Sequence, residues 1–516
     1  MSIRGKATNP LNAGRWSFAS FVLSQTIGSL LYLPLARLLT PDDFGLIAAA
    51  GLIVTGLTLV AEVALTRSLI RLSGDRDELA RAVLALSIIG GLLAAALCAV
   101  LGWPVAVIFD EPELRQLLPL MSLSILFTSL GTVPHALLSR ELDFRRKTLP
   151  ETVSIGTGGL VALLAALAGA GVYSLVFYAL IRTFLSSAVA WYVIDWRPSF
   201  RRPDTATMRR VLSFGLPASG GDLALYARLN ADYAIVGRRL GADQLGVYSL
   251  AWTCAVGPAA LITSFFGGVG YATFARLQRD RDRLRAIYLA ATRLIASVAL
   301  PLFLGAVFLR YEIVVVLYGE RWLGMVGPLL PLFLLQSLRE VCRPGASLTL
   351  ATGHNRLYAA CGLIALPLTV IAVLVGSRYG IVGVAWAVLI AVGASSIVWP
   401  SIAIAVLRPS VAELWRAIRG PLLLTASSTP MVIIVRVALE ATPAPTVLRL
   451  IAAILAGAAG FGVALYLLRD SFLADLARLK EPLPEEEATA SERLPSTTPP
   501  LSVSSPATLA VPAADG

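Results

Sequence analysis

Histidine and cysteine are scarce in this chain, with two of the first and four of the second among 516 residues. The cysteines, Cys98, Cys254, Cys342 and Cys361, fall in apolar runs with no CxxC pair. They read as small core residues, not as disulfide partners or metal ligands. With only His135 and His354 to add, a zinc site is not expected, and no cofactor is implied. The motifs GxxxxGK[ST], HExxH and GxSxG are absent. That excludes a nucleotide site for an ATP-driven pump, a zincin and a serine hydrolase of the elbow type. The stretch GGVG at Gly267 to Gly270 lies late in an apolar run and reads as close helix packing. Large loops are missing too. On the side opposite the basic loops none is expected to exceed roughly a dozen residues, which leaves no room for the acceptor domain of a glycosyltransferase or polymerase.

Charge is also sparse, at 15% of residues, while 57% are hydrophobic. That exceeds the roughly 45 to 50% of soluble domains, and the mean hydropathy of +0.76 agrees. The chain is therefore read as an all-α integral membrane protein. Apolar runs of about 20 residues give about fourteen spans. They are placed near 16–36, 44–64, 82–103, 117–138, 149–169, 172–194, 211–236, 245–270, 286–309, 326–350, 357–376, 380–406, 420–439 and 447–468. Arg4, Lys6 and Arg15 precede the first span, but no small-residue cleavage site comes after it, so it reads as an anchor and not as a signal peptide.

Basic residues sort by side. Alternate loops carry clusters such as Arg67, Arg71, Arg76 and Arg81, then Arg145, Arg146 and Lys147, then Arg201, Arg202, Arg209 and Arg210. About 28 Lys and Arg flank the spans on that side against about 8 on the other, which predicts that it is cytoplasmic and that both termini lie there. The net charge of +11 then reflects topology and anionic lipid, and no nucleic-acid partner is expected.

The chain repeats itself. ARLLTPDDFGLIAA (Ala36 to Ala49) returns as GRRLGADQLGVYSL (Gly237 to Leu250), aligning Arg37 with Arg238, Leu39 with Leu240, Asp42 with Asp243 and Gly45 with Gly246. Further landmarks recur in order at offsets of about 200 to 212 residues, an interval of about six spans. An even interval predicts two parallel six-helix lobes related by an axis along the membrane normal. The expected organisation is a first lobe over 1–196, a second over 197–408, two added helices over 409–470 and a tail over 471–516. Beyond Glu481 the tail is rich in Pro, Ser, Thr and Glu and reads as disordered. The loop acids Asp42 and Asp43, or Asp110 with Glu111 and Glu113, read as helix caps and solvated turns.

The remaining chemistry lies inside the bilayer, where each unpartnered charge costs roughly 2.5 to 3.5 kcal/mol. On span seven, Arg228 and Asp232 stand four apart and Asp222 and Tyr226 form a second such pair. On span ten, Gln336, Arg339, Glu340 and Arg343 make one polar stripe. Arg182, Arg293 and Arg436 are further cations; Gln25, Glu62 and Glu151 are the polar groups of the first half. Mutually satisfied helix pairs would account for all of these. Clustering in spans seven and ten points instead to a positive cavity suited to an anion.

The run W-SFASFVLSQTIGSLLYLPLARLLTPDDFGLIAAA, its echo at Gly237, the LYGERW turn at Leu317 and the GVYSLV opening at Gly171 resemble the polysaccharide transporter family. These are the Wzx-type flippases of the multidrug/oligosaccharidyl-lipid/polysaccharide exporter superfamily. The resemblance covers about residues 10–470. It implies two pseudo-symmetric six-helix lobes around a central cavity, plus two helices, working by alternating access. It implies no enzyme, but a flippase for undecaprenyl-pyrophosphate-linked oligosaccharide in lipopolysaccharide or exopolysaccharide synthesis, partnered by membrane lipids and by a polymerase and co-polymerase. The cationic-cavity idea carries over to Arg228, Arg339 and Arg343, with Gln336, Arg182 and Gln25 as further lining. Asp222, Asp232 and Glu340 are expected as charge partners or ion-coupling groups. Alternatives stay open: a drug or cation exporter, which would want an acidic cavity, a peptidoglycan-precursor flippase, or a membrane enzyme or scaffold of polysaccharide assembly.

Overall fold

The computed structural model describes residues 27–473 except 29, 73–74, 141–143, 200, 279 and 470–471, and among the described residues there is no strand. Helix α1 covers residues 30–38. It is followed by α2 (Pro41–Arg71), α3 (Arg76–Phe109), α4 (Leu114–Arg140), α5 (Phe144–Leu167) and α6 (Val172–Val193). The second half holds α7 (Thr205–Leu229), α8 (Ala231–Arg276), α9 (Arg281–Phe308) and the single turn α10 (Arg310–Ile313). A π-helical turn (Val314–Tyr318) and a 3-10 turn (Glu320–Met325) lead into α11 (Val326–Ala351), α12 (Asn355–Gly376) and α13 (Gly380–Leu407). Helices α14 (Val411–Glu440) and α15 (Thr446–Leu467) close the described chain.

Among the described residues, eleven stretches are long and apolar enough to cross a bilayer, one of which, Ala360–Leu407, contains most of α12 and all of α13. Helix α7 is not among them, because it carries Arg209, Arg210, Asp222 and Arg228. This is a multi-pass membrane protein.

Loop residues set the helix starts. Thr40 and Asp43 form a reciprocal capping box ahead of α2, with Pro41 at the first helical position, and Ser410 and Glu413 do the same for α14. Asp75, Asp204 and Asp280 cap α3, α7 and α9 through their side chains. Asp110, at φ 59°, ends α3 in the left-handed conformation. The expected seventh span, 211–236, is not one straight helix. Asn230 (φ −125°, ψ 13°) leaves helical geometry between α7 and α8, and Gly241 (φ 84°, ψ 173°) breaks α8 again. That second conformation suits glycine alone among common residues.

Helices α2 to α6 pack among themselves as a first lobe and α8, α9, α11, α12 and α13 among themselves as a second, with α14 packed on α9 and on α15. Helix α7 also lies along α2 and α3, so it stands between the lobes. The sequence around the α2–α3, α4–α5, α6–α7, α8–α9 and α13–α14 connections is rich in arginine.

Elsewhere the lobes touch in a seam with local two-fold symmetry. A Cβ on Gly45 would stand 1.8 Å from the Ala242 carbonyl oxygen, and one on Gly246 would stand 1.8 Å from that of Pro41. Those four residues are two pairs of repeat equivalents. Around them Trp322, fully buried, donates its indole N–H to Ala36 O at 2.6 Å and meets Phe44 edge-on at 5.3 Å. Arg321 donates to Leu39 O at 2.9 Å, and Arg37 donates back to Leu317 O at 3.2 Å and to Val316 O. Each arginine thus covers the helix-end carbonyls of the other lobe. Glu111, from the first lobe, accepts the Ala242 N–H at 3.1 Å, beside the break at Gly241.

Candidate functional site

A cavity of about 460 Å³ lies between α7 on one side and α11, α12 and α13 on the other. Arg228 enters it from α7, and Arg339 and Arg343 enter from successive turns of α11. The structure therefore brings together three cations, one of them more than a hundred residues from the other two in sequence.

Their charge states differ in a way that spacing alone does not reveal. Arg343 is held by Glu340, donating from Nε at 2.9 Å and from Nη2 to the second oxygen. Glu340 is fully buried, so this pair is neutral and internally satisfied. Neither Arg228 nor Arg339 forms a hydrogen bond or ion pair among the described residues, and the Arg228 Nε is buried without a partner. Three guanidiniums against one carboxylate leave two positive charges unneutralised. In a low-dielectric site such charges attract an anion far more strongly than in water.

The expected partners of Arg228 are elsewhere. Asp232 does not pair with it, because the chain leaves the helix at Asn230 and the four-residue spacing no longer shares a face. Asp232 is buried and instead accepts the Tyr248 hydroxyl at 2.7 Å and the Tyr233 N–H at 3.0 Å. Asp222 does not pair with Tyr226 either. It is bridged by Arg67 of α2 at 2.9 Å, while the Tyr226 hydroxyl donates to Leu52 O at 2.9 Å. These two acids therefore take no charge from the cavity wall.

Among the other expected lining residues, Gln336 is buried one turn before Arg339, with its amide nitrogen unpartnered, and does not reach the cavity surface. Arg182 stays in the first lobe, its guanidinium 5.9 Å from the Tyr178 ring centre, and is not in this wall. Gln25 lies outside the described residues. Arg436, a candidate for a lone intramembrane cation, is paired with the buried Glu312 at 2.7 Å.

Two aromatic residues on the wall were not legible as site residues. Tyr358 and Trp399 stack at 4.7 Å and 23° opposite the arginines, where α11 and α13 come so close that a Cβ on Gly345 would stand 2.6 Å from the Trp399 backbone carbon. In sequence each is one ordinary aromatic in an apolar run. In the first lobe, Glu62 is buried and accepts the Ser129 hydroxyl at 2.8 Å, with no arginine or lysine paired to it among the described residues.

A sequence profile described as polysaccharide biosynthesis protein matches residues 34–327, more than half of the chain. The chain belongs to the polysaccharide biosynthesis protein family. The matched range runs from α1 through the 3-10 turn and so contains both sides of the seam. Within the reach of this family, the chain is 28% identical over 291 residues to the succinoglycan biosynthesis transport protein ExoT of Rhizobium meliloti (strain 1021), covering 56% of this chain and 58% of that one. It is 23% identical over 395 residues to the lipopolysaccharide biosynthesis protein WzxC of Escherichia coli (strain K12), covering 74% of this chain and 78% of that one. It thus spans less than two thirds of the first relative's length and more than two thirds of the second's. Among solved structures, the lipid II flippase MurJ in an inward closed conformation superposes with a TM-score of 0.69 at 14% identity, over 88% of this chain and 99% of that one. That likeness is one of fold.

Proposed function

We propose that the protein is a flippase that carries an undecaprenyl-pyrophosphate-linked oligosaccharide across the bacterial inner membrane, and not an enzyme. The observation that carries this reading is the pair of unneutralised arginines, Arg228 and Arg339, in one cavity. A pyrophosphate diester carries about two negative charges at neutral pH, and guanidinium is suited to hold both by paired hydrogen bonds. Left alone in hydrocarbon, those charges would cost far more than a few kcal/mol. In the cavity they meet matching charge while the polyprenyl chain stays in lipid. A cationic wall opposes the drug or cation exporter reading.

On this reading the arginine-rich end is cytoplasmic, both termini lie there, and the seam closes the outer face. The units are a lobe over 1–196, a lobe over 197–408, two helices over 409–470 and a tail over 471–516, and the lobes rock about each other. Partners are membrane lipid, the polyprenyl-linked glycan and the polymerase and co-polymerase that lengthen it.

The deciding experiment is the sidedness of the lipid-linked oligosaccharide in spheroplasts with and without the protein, read with a membrane-impermeant probe. Oligosaccharide that is made but stays inaccessible without the protein supports flipping. Oligosaccharide that reaches the outer leaflet regardless, yet is never lengthened, would sink this reading in favour of an assembly enzyme or scaffold.

A further inference from the structure

The appended helices touch the seam through a single polar contact among the described residues. Arg436, on α14, donates to Glu312, on α10, at 2.7 Å, and Glu312 is 3% exposed. Its second oxygen is buried without a partner. Around the pair, Leu309, Val432, Leu450 and Ala453 form a small apolar cluster with Ile313 and Val316 against it. Helices α14 and α15 thus cup the short α10 turn.

Just past Glu312 the chain departs from ordinary helix. Residues Val314–Tyr318 are π-helical, and Gly319 at φ 96° turns the chain into the 3-10 segment that carries Arg321 and Trp322. A π turn widens the backbone ladder and exposes carbonyls, and here Val316 O and Leu317 O take the Arg37 guanidinium of the first lobe. Every cross-seam hydrogen bond from Arg37, Arg321 and Trp322 therefore depends on how this one segment is held. A buried ion pair is a poor source of net stability, but removing one partner leaves a charge stranded. It fixes geometry more than it stabilises.

We propose that Glu312 and Arg436 are positioning residues for transport: they hold the π turn in register beneath Arg37, so helices α14 and α15 set how readily the seam opens. This rests on the reading that the lobes part at this end. It adds that the added helix pair has a part in the cycle beyond anchoring.

The test uses the full-length protein in nanodiscs, where both faces are accessible. Leu39, 3% exposed on the seam, is replaced by cysteine, and labelling by a polar maleimide is followed against the parent chain. Glu312→Gln and Arg436→Gln are each expected to label roughly tenfold faster, a coupling of ordinary size. The exchange Glu312→Arg with Arg436→Glu is expected to return the rate towards that of the parent. Singles that label like the parent, or an exchange as fast as the singles, would overturn the proposal. Should the glutamine variants fail to fold, Arg436→Lys keeps the charge without the planar fork and is expected to label about twofold faster or more; a parent-like rate there overturns it as well. No substrate enters this assay. Its failure leaves the lipid-carrier reading standing, and failure of the sidedness experiment leaves the labelling result standing.

Discussion

Gly45 of the first lobe lies against Ala242 of the second so closely that a Cβ would stand 1.8 Å from its carbonyl oxygen, and Gly246 repeats the contact on Pro41. Backbone faces backbone on both sides, so no flexible side chain can give way. Gly45→Ala is expected to hold the lobes apart here, costing the closed state on the order of 1–3 kcal/mol. The maleimide rate at Leu39→Cys reads this directly, and a rate equal to the parent's would mean the seam is not held by this contact.

Arginines of one cavity are expected to divide into two classes. Arg228→Ala and Arg339→Ala remove charges with no internal partner, so insertion and thermal stability should hold while export falls about tenfold or more, with Arg339→Lys retaining part. Normal export in both alanine variants would remove the cavity hypothesis.

Arg343→Ala behaves differently, because it strands the buried Glu340 carboxylate. A loss of about 3 kcal/mol is expected, seen as poor expression and a lowered Tm, with Glu340→Gln restoring part of it in the double variant. An Arg343→Ala protein as stable as the parent would show that Arg343 is not what compensates the buried Glu340.

Tyr248→Phe deletes the hydroxyl that Asp232 accepts at 2.7 Å, leaving a buried acid with backbone donors only. About 1–3 kcal/mol of stability should go. Thermal unfolding in detergent checks it; an unchanged midpoint would mean water replaces the phenol.

Partly exposed at the seam, Glu111 has its carboxyl pushed above the ordinary 4.5 by burial first, and by the nearby acids Asp42, Glu113 and Asp110, while the Ala242 amide pulls it back. A raised carboxyl pKa means that the closed form holds the proton more tightly. Its contribution is full below pH 4.5 and is lost as pH rises through the shifted value. Leu39→Cys labelling, taken relative to that of a free thiol at the same pH, should therefore slow on acidification, and Glu111→Gln should flatten that corrected dependence.

The repeated phrase at Arg37 and Arg238 disclosed the two lobes, and it also marked the seam, since Gly45 and Gly246 are part of it. Arg228, Arg339 and Arg343 could be picked out because charge inside an apolar run is rare. Glu340, which holds Arg343, stood in the same stripe, but partners far off in sequence could not be read. Arg67 reaches Asp222 across 155 positions, and Arg436 reaches Glu312 across 124. The local spacing of Arg228 and Asp232 pointed the wrong way because nothing in the run flagged a helix break at Asn230. Tyr358 and Trp399 carried no signal, since one aromatic in a membrane helix looks like any other.

On the proposed flippase reading, the two unneutralised arginines make the empty carrier the electrically active species. Loaded with a doubly charged pyrophosphate diester, the cavity is close to neutral and indifferent to voltage. Emptied, it holds two positive charges, each worth about 2.3 kcal/mol per 100 mV over the full membrane field. An inside-negative potential draws those charges towards the cytoplasm. The cell's resting voltage would thus reset the empty protein to receive its next load, and collapsing that voltage should slow turnover while leaving ligand affinity in place.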